Sequence, residues 1–159
     1  MNNELRTVID TGVIVSAVLL PRSVHGRHLI QPPFREVCSR RMKQSAELSD
    51  VLHRPKFDKY VSESLRLEFL SAFVRKAELI RVTEVVTECR DSKDNKFLEL
   101  ALSGKGSHIV TGDSDLLVLH PFRTISVLTP QSFLAEAEVR ASRTSSRDDP
   151  DPKSVGKLT

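Results

Sequence analysis

The chain has 159 residues, a formal net charge of +3 and 28% charged residues, which suits one domain able to bury a substantial core. Five Lys/Arg against three Asp from Arg140 onward carry two of those three charges, so the body is near +1 and any RNA binding would go through local patches and a metal rather than a basic surface. Two isolated cysteines, Cys38 and Cys89, and no apolar run near the roughly 18 residues of a membrane span exclude a disulfide scaffold and a membrane protein, and the expectation is a cytoplasmic α/β domain.

Residues 5–10 read as a short buried strand closed by Asp10, with Thr11 and Gly12 at the turn and an apolar helix over 13–20. Residues 21–43 carry breakers and charge without a clear period and read as a loop with one short helix. Ser45 is the expected cap of a helix over 46–52, ended by Arg54-Pro55. Ser62 opens an amphipathic helix whose apolar positions are Leu65, Leu67, Phe69, Leu70, Phe73, Val74 and Ala77. Residues 79–82 are strand-like, and 85–87 continue or repeat that character.

Asp94 starts the next helix, with Phe97, Leu98, Ala101 and Leu102 on its apolar face and Gly104 as its stop. Residues 108–111 form a short strand, followed by the turn Gly112-Asp113-Ser114-Asp115 and a helical turn through Leu119. A last strand spans 124–128, and Thr129-Pro130 caps and opens a helix with Phe133, Leu134 and Ala137 inside. Residues 141–159 read as a disordered tail after a domain of residues 1–140. Alternating strands and helices predict a parallel sheet covered on both faces.

Acids recur where strands end and helices begin: Asp10, Asp94, Asp113 and Asp115. In parallel α/β sheets ligands bind beyond the carboxyl ends of the strands, and carboxylates gathered there repel unless protons or a cation compensate them. Oxygen ligands without partnering thiols suit Mg²⁺ or Mn²⁺. Each acid also has a bland reading. Asp10 and Asp94 fit helix caps, Asp91 competes with Asp94, and Asp113 and Asp115 fit an Asx turn. Glu47 fits a solvated helix face, with Asp50 as its substitute.

Thr11, Ser16 and Thr111 line the expected strand ends, where they would hydrogen-bond acids, water or substrate, and Lys96 is a candidate phosphate contact. His25 and His28 lack the partners that complete a zinc site. No P-loop or nucleophile elbow is present. An aspartyl phosphotransferase of the haloacid-dehalogenase type needs a second acid where Gly12 stands.

Four ordered motifs resemble the PIN-domain family: residues 8–17 (VIDTGVIVSA), Glu47-Leu48 with residues 51–57 (VLHRPKF), residues 94–101 (DNKFLELA) and residues 111–117 (TGDSDLL). The nearest likeness is to bacterial members that are toxins of type II toxin–antitoxin pairs. The resemblance implies a three-layer α/β/α fold and an RNA-cleaving enzyme using Mg²⁺ or Mn²⁺. Its acidic site would be Asp10, Glu47, Asp94 and Asp113, with Asp10, Asp94 and Asp113 as ligands. Glu47 would hold a water or take its proton, and Asp115 would be an outer or alternate ligand. RNA is the implied substrate, and a small antitoxin and a second copy of the chain are the implied partners.

Two features depart from the family pattern. Gly12 replaces the usual Asn, and residues 24–44 are polar, basic and proline-containing where a helix and an apolar strand are usual. They define the alternative, a PIN-fold module that binds RNA or a protein with little or no catalysis.

Overall fold

The computed structural model describes residues 5–20, 34–39 and 43–145. Five strands form one sheet: β1 (Leu5–Ile9), β2 (Phe34–Ser39), β3 (Glu78–Ile80), β4 (His108–Val110) and β5 (Ser126–Leu128). Six helices accompany them in the described residues: α1 (Thr11–Leu19), α2 (Lys43–Leu52), α3 (Glu63–Lys76), α4 (Asn95–Ser103), α5 (Ser114–Leu117) and α6 (Pro130–Ser145). The strand order is β3-β2-β1-β4-β5, and every neighbouring pair is parallel. The chain therefore winds outward from β1 to β3, then crosses to the other side for β4 and β5. The direction reverses between β1 and β4, which makes their carboxyl ends the crevice where such folds bind ligands.

Strand alternation divides the core between two faces. Val8, Ile109 and Val127 pack with Phe97, Leu98 and Ala101 of α4. Ile9 and Val110 point the other way, onto Val13, Ile14 and Val18 of α1, Leu48 and Leu52 of α2, Phe73 of α3 and Phe133 of α6. Both faces being covered explains why β1 and β4 are apolar at consecutive positions rather than alternating. The architecture is three-layer α/β/α, as expected.

The tertiary structure overrides several local readings. Residues 34–39, expected as loop, are the strand β2, seated between β1 and β3 with Leu5 opposite Phe34 and Cys38 opposite Leu79. A strand hydrogen-bonded on both sides satisfies its backbone whatever its composition, which outweighs the weak apolar pattern. The helix expected from residue 46 begins at Lys43, so Ser45 lies inside it rather than at its cap. Helix α6 continues to Ser145, past the boundary expected at 140, and residues 146–159 of the expected tail lie outside the described residues. So do the loop and short helix expected before residue 34, with His25 and His28.

Residues 85–87 are not a strand: side chains take backbone donors along this segment, Glu88 Oε2 accepting from Thr87 N at 3.0 Å and α4 side chains accepting from the residues around it. Ser103 Oγ accepts from Thr83 N at 3.0 Å and from Glu84 N at 3.1 Å, Glu99 Oε1 from Val86 N at 3.1 Å, and Asn95 Oδ1 from Cys89 N at 3.0 Å. Asn95, Glu99 and Ser103 are spaced i, i+4, i+8 and form one row on α4. That row straps the segment before Asp94 to the helix that follows it. On α3, the expected apolar position Leu65 is exposed while Arg66 is fully buried.

Candidate active site

The register that sets Ile9 opposite Val110 brings the next residues of both strands together. Asp10 N donates to Val110 O at 2.9 Å, and Thr111 N to Leu128 O at 2.9 Å, so the ladder extends one residue beyond each strand. Asp10 caps α1, its Oδ1 accepting from Gly12 N at 2.9 Å, while its Oδ2 accepts from the Thr111 hydroxyl at 2.8 Å. Thr111 Oγ1 in turn accepts from Asp113 N at 3.0 Å. The fully buried Thr111 thus ties the two strand-end acids to each other. Asp113 caps α5, its Oδ1 accepting from Asp115 N at 2.7 Å.

Asp94 behaves differently. Asp91 takes the cap of the preceding 3-10 turn by accepting from Lys93 N at 3.0 Å. Asp94, at the N-terminus of α4, makes no side-chain capping bond. Burial pushes its carboxyl above the ordinary value, and the charges of Asp113, Asp91 and Asp10 push it further, with Lys96 opposing them. The buried Cys89 thiol is likewise raised, first by burial and then by Asp94, Asp115 and Asp113. Burial is the largest cause of both shifts, and Asp113 adds to each.

Glu47 reaches this field through Lys96, whose Nζ donates to Glu47 Oε2 at 2.6 Å. That pairing, between two half-exposed side chains, is where Lys96 lies, rather than free for phosphate. Asp115 is paired with Arg90 at 3.0 Å, which sets it apart from the central acids. Thr11 Oγ1, beside Asp10, is buried with no hydrogen-bond partner among the described residues. Ser16 is exposed farther along α1, and no hydrogen bond joins it to the acids among the described residues. Sequence reasoning missed Arg90, Asn95, Glu99 and Ser103. The i, i+4, i+8 spacing of polar residues beside the helix's apolar face was the available signal for the last three.

Among the described residues no three His, Cys, Asp or Glu side chains stand close enough to enclose one ion. The donor chemistry nevertheless fits a hard divalent cation. Asp10, Asp94 and Asp113 offer oxygen ligands in a shared negative field, beside the unpartnered Thr11 hydroxyl. Magnesium keeps several waters and needs only one or two carboxylates, so an open site suits it.

The fold and the site define a doubly wound α/β domain with acids gathered at its switch point. Residues 6–115 match the PIN domain, and the chain belongs to the PIN-domain family, whose members are generally nucleases that use divalent metals. It is 31% identical over 146 residues to the uncharacterized protein MJ1680 of Methanocaldococcus jannaschii, a match covering 85% of this chain and 93% of that one. It is 30% identical over 97 residues to the chloroplastic protein PIGMENT DEFECTIVE 338 of Arabidopsis thaliana, covering 58% of this chain and 19% of the plant protein. No helix in the described residues is long and apolar enough to cross a membrane.

Proposed function

We propose that this protein is a metal-dependent endoribonuclease that hydrolyses RNA phosphodiester bonds. The observation that carries this reading is Asp94, a partly buried carboxylate held without a capping bond in the field of Asp113, Asp91 and Asp10. A carboxylate so placed costs stability unless a proton or cation offsets it, and functional sites are where such costs are retained.

Asp10, Asp94 and Asp113 would hold Mg²⁺ or Mn²⁺, in part through its waters, since no three acids of the described residues enclose one ion directly. Once bound, the ion supplies Lewis acidity at a phosphate oxygen and makes a water nucleophilic near neutral pH. The residues around it orient and move protons. Thr111 fixes the Asp10 carboxylate and the Asp113 backbone in one arrangement. Glu47, held on the site side of α2 by its pairing with Lys96, would hold that water or take its proton. Asp115, already paired with Arg90, acts from outside the ligand set.

The test is cleavage of a labelled RNA pool with Mg²⁺ or Mn²⁺, against EDTA and the Asp94→Asn and Asp113→Asn variants. Metal-dependent cleavage lost in both variants supports the reading, and equal cleavage by either variant overturns its ligand assignment. A second reading, a PIN module that binds RNA or protein without cutting, is favoured by Gly12, which leaves no side-chain amide beside Asp10. Metal binding by folded protein without cleavage would decide for it. The further step, that the nuclease is the toxin of a toxin–antitoxin pair, rests on the family resemblance alone. Growth arrest on expressing the wild type but not Asp94→Asn would support it, and equal growth would remove it.

A further inference from the structure

The segment that follows α2, the helix carrying Glu47, is built unlike an ordinary loop. A 3-10 turn spans Pro55–Phe57, and its bonds continue through Asp58 N to Pro55 O at 3.0 Å, Tyr60 N to Phe57 O at 3.0 Å and Val61 N to Phe57 O at 3.1 Å. Arg66 of α3, fully buried, clamps it from below. Its Nη1 donates to Val61 O at 2.9 Å and its Nη2 to Asp58 Oδ1 at 2.7 Å, while its Nε has no partner among the described residues. Burying a guanidinium is costly, so the clamp is an expensive way to hold a turn. It also cancels Asp58, the segment's only acid.

Three cations are left exposed: Arg54, Lys56 and Lys59. Two of them lie against neighbouring rings, Lys56 Nζ at 5.0 Å from the Phe57 centroid and Lys59 Nζ at 4.9 Å from that of Tyr60. Tyr60 is 61% exposed. Glu47 lies on α2, whose last residue, Leu52, precedes Arg54 by two.

Building on the ribonuclease reading, we propose that residues 54–60 are a platform for single-stranded RNA, Tyr60 stacking on a base while Arg54, Lys56 and Lys59 hold flanking phosphates. Rigid basic segments interleaved with aromatics bind single strands in this way, without reading sequence. The choice of RNA over a protein partner follows from composition. Protein interfaces are depleted in lysine at their cores, whereas here lysines border both rings. With the chain body near +1, this local surplus is also a concentrated source of attraction for phosphate.

The experiment is fluorescence anisotropy of the full chain with a labelled, unstructured RNA oligonucleotide in EDTA, so that binding is read without cleavage. The variants are Tyr60→Ala, Tyr60→Phe and the double variant Lys56→Gln/Lys59→Gln, each checked for fold by circular dichroism. Tyr60→Ala is expected to weaken binding about tenfold and Tyr60→Phe to retain it, as stacking requires the ring and not the hydroxyl. The double lysine variant is expected to flatten the log–log salt dependence by about 1.4, two single-strand phosphate contacts.

Folded variants that bind RNA like the wild type overturn the platform, as does a wild type that does not bind RNA. Failure of the nuclease reading is seen separately, since it is judged by metal-dependent cleavage in the wild type and Asp94→Asn. RNA binding through Tyr60 without cleavage would leave the platform standing on a binding module.

Discussion

The Lys96 ammonium sits 2.6 Å from the Glu47 carboxylate and joins α4 to α2 across 49 residues of sequence. It is also the cation that opposes the acids around Asp94. Lys96 thus stands in the same field that a divalent ion would occupy and holds Glu47 of α2.

Removing this charge should strengthen metal binding. Lys96→Gln is expected to raise Mn²⁺ affinity by about fivefold, the scale of one charge at a half-exposed site. The gain should shrink when Glu47→Gln is added, because the freed carboxylate is then missing. Calorimetric titration of the two single variants and the double variant measures this, and an unchanged or weaker affinity in Lys96→Gln would refute it.

Asp94 sets a pH dependence whose sign can be worked out. Its carboxyl is raised in the folded state, so folding favours the proton. The stability it contributes is present at pH values below the unfolded pKa and is lost as pH rises through the folded one. In EDTA near neutral pH, Asp94→Asn should therefore melt higher than the wild type, and the difference should close toward pH 4. Mg²⁺ should raise the melting temperature of the wild type more than that of the variant. Melting curves across pH, with and without Mg²⁺, test both statements.

Thr111 links Asp10 to Asp113 through one hydroxyl, as acceptor for one backbone N–H and donor to one carboxylate. Thr111→Val keeps the shape and removes both bonds. The expected cost is about 1–3 kcal/mol of stability, from a hydrogen bond to a charged group and a donor left unpaired. Chemical denaturation measures the loss, and a cost below about 0.5 kcal/mol would show the bridge to be dispensable.

The Asn95 bond to Cys89 N anchors the strap before Asp94. Asn95→Ala should speed hydrogen exchange over residues 83–91 while leaving β1 and β4 protected, because the strap's backbone donors depend on α4 side chains. Unchanged exchange in the strap would show that Glu99 and Ser103 suffice.

Gly12 has room for a side chain, since a Cβ there would lie 3.7 Å from Asp10 Oδ1 in ordinary contact. Gly12→Ala in the first turn of α1 should stabilise by about 0.4–1 kcal/mol through the unfolded chain. Gly12→Asn should fold equally and increase metal-dependent cleavage if an amide beside Asp10 assists. A thermal melt and the RNA assay read the two effects separately.

The alternation of strand and helix, and the acids at strand ends, were legible because both signals are local. Asp10 and Asp113 follow short apolar runs, and Thr129 Oγ1 accepts a cap hydrogen bond from Ser132 N at 3.2 Å, as its sequence position suggested. The order of the four motifs was enough to point to the family. The strand β2 was not legible, because Phe34–Ser39 owes its conformation to strands on either side rather than to its own pattern.

The same division holds at the site. By itself the sequence determined which residues could carry charge to the crevice, since strand ends and helix starts are set by short-range preferences. Only the tertiary structure decided which partner each acid meets there. Parallel register places the Thr111 hydroxyl on Asp10 across 101 residues, gives Asp115 to Arg90 and Glu47 to Lys96, and leaves Asp94 without a cap bond. Those assignments depend on distances between segments remote in the chain, which local propensity does not encode.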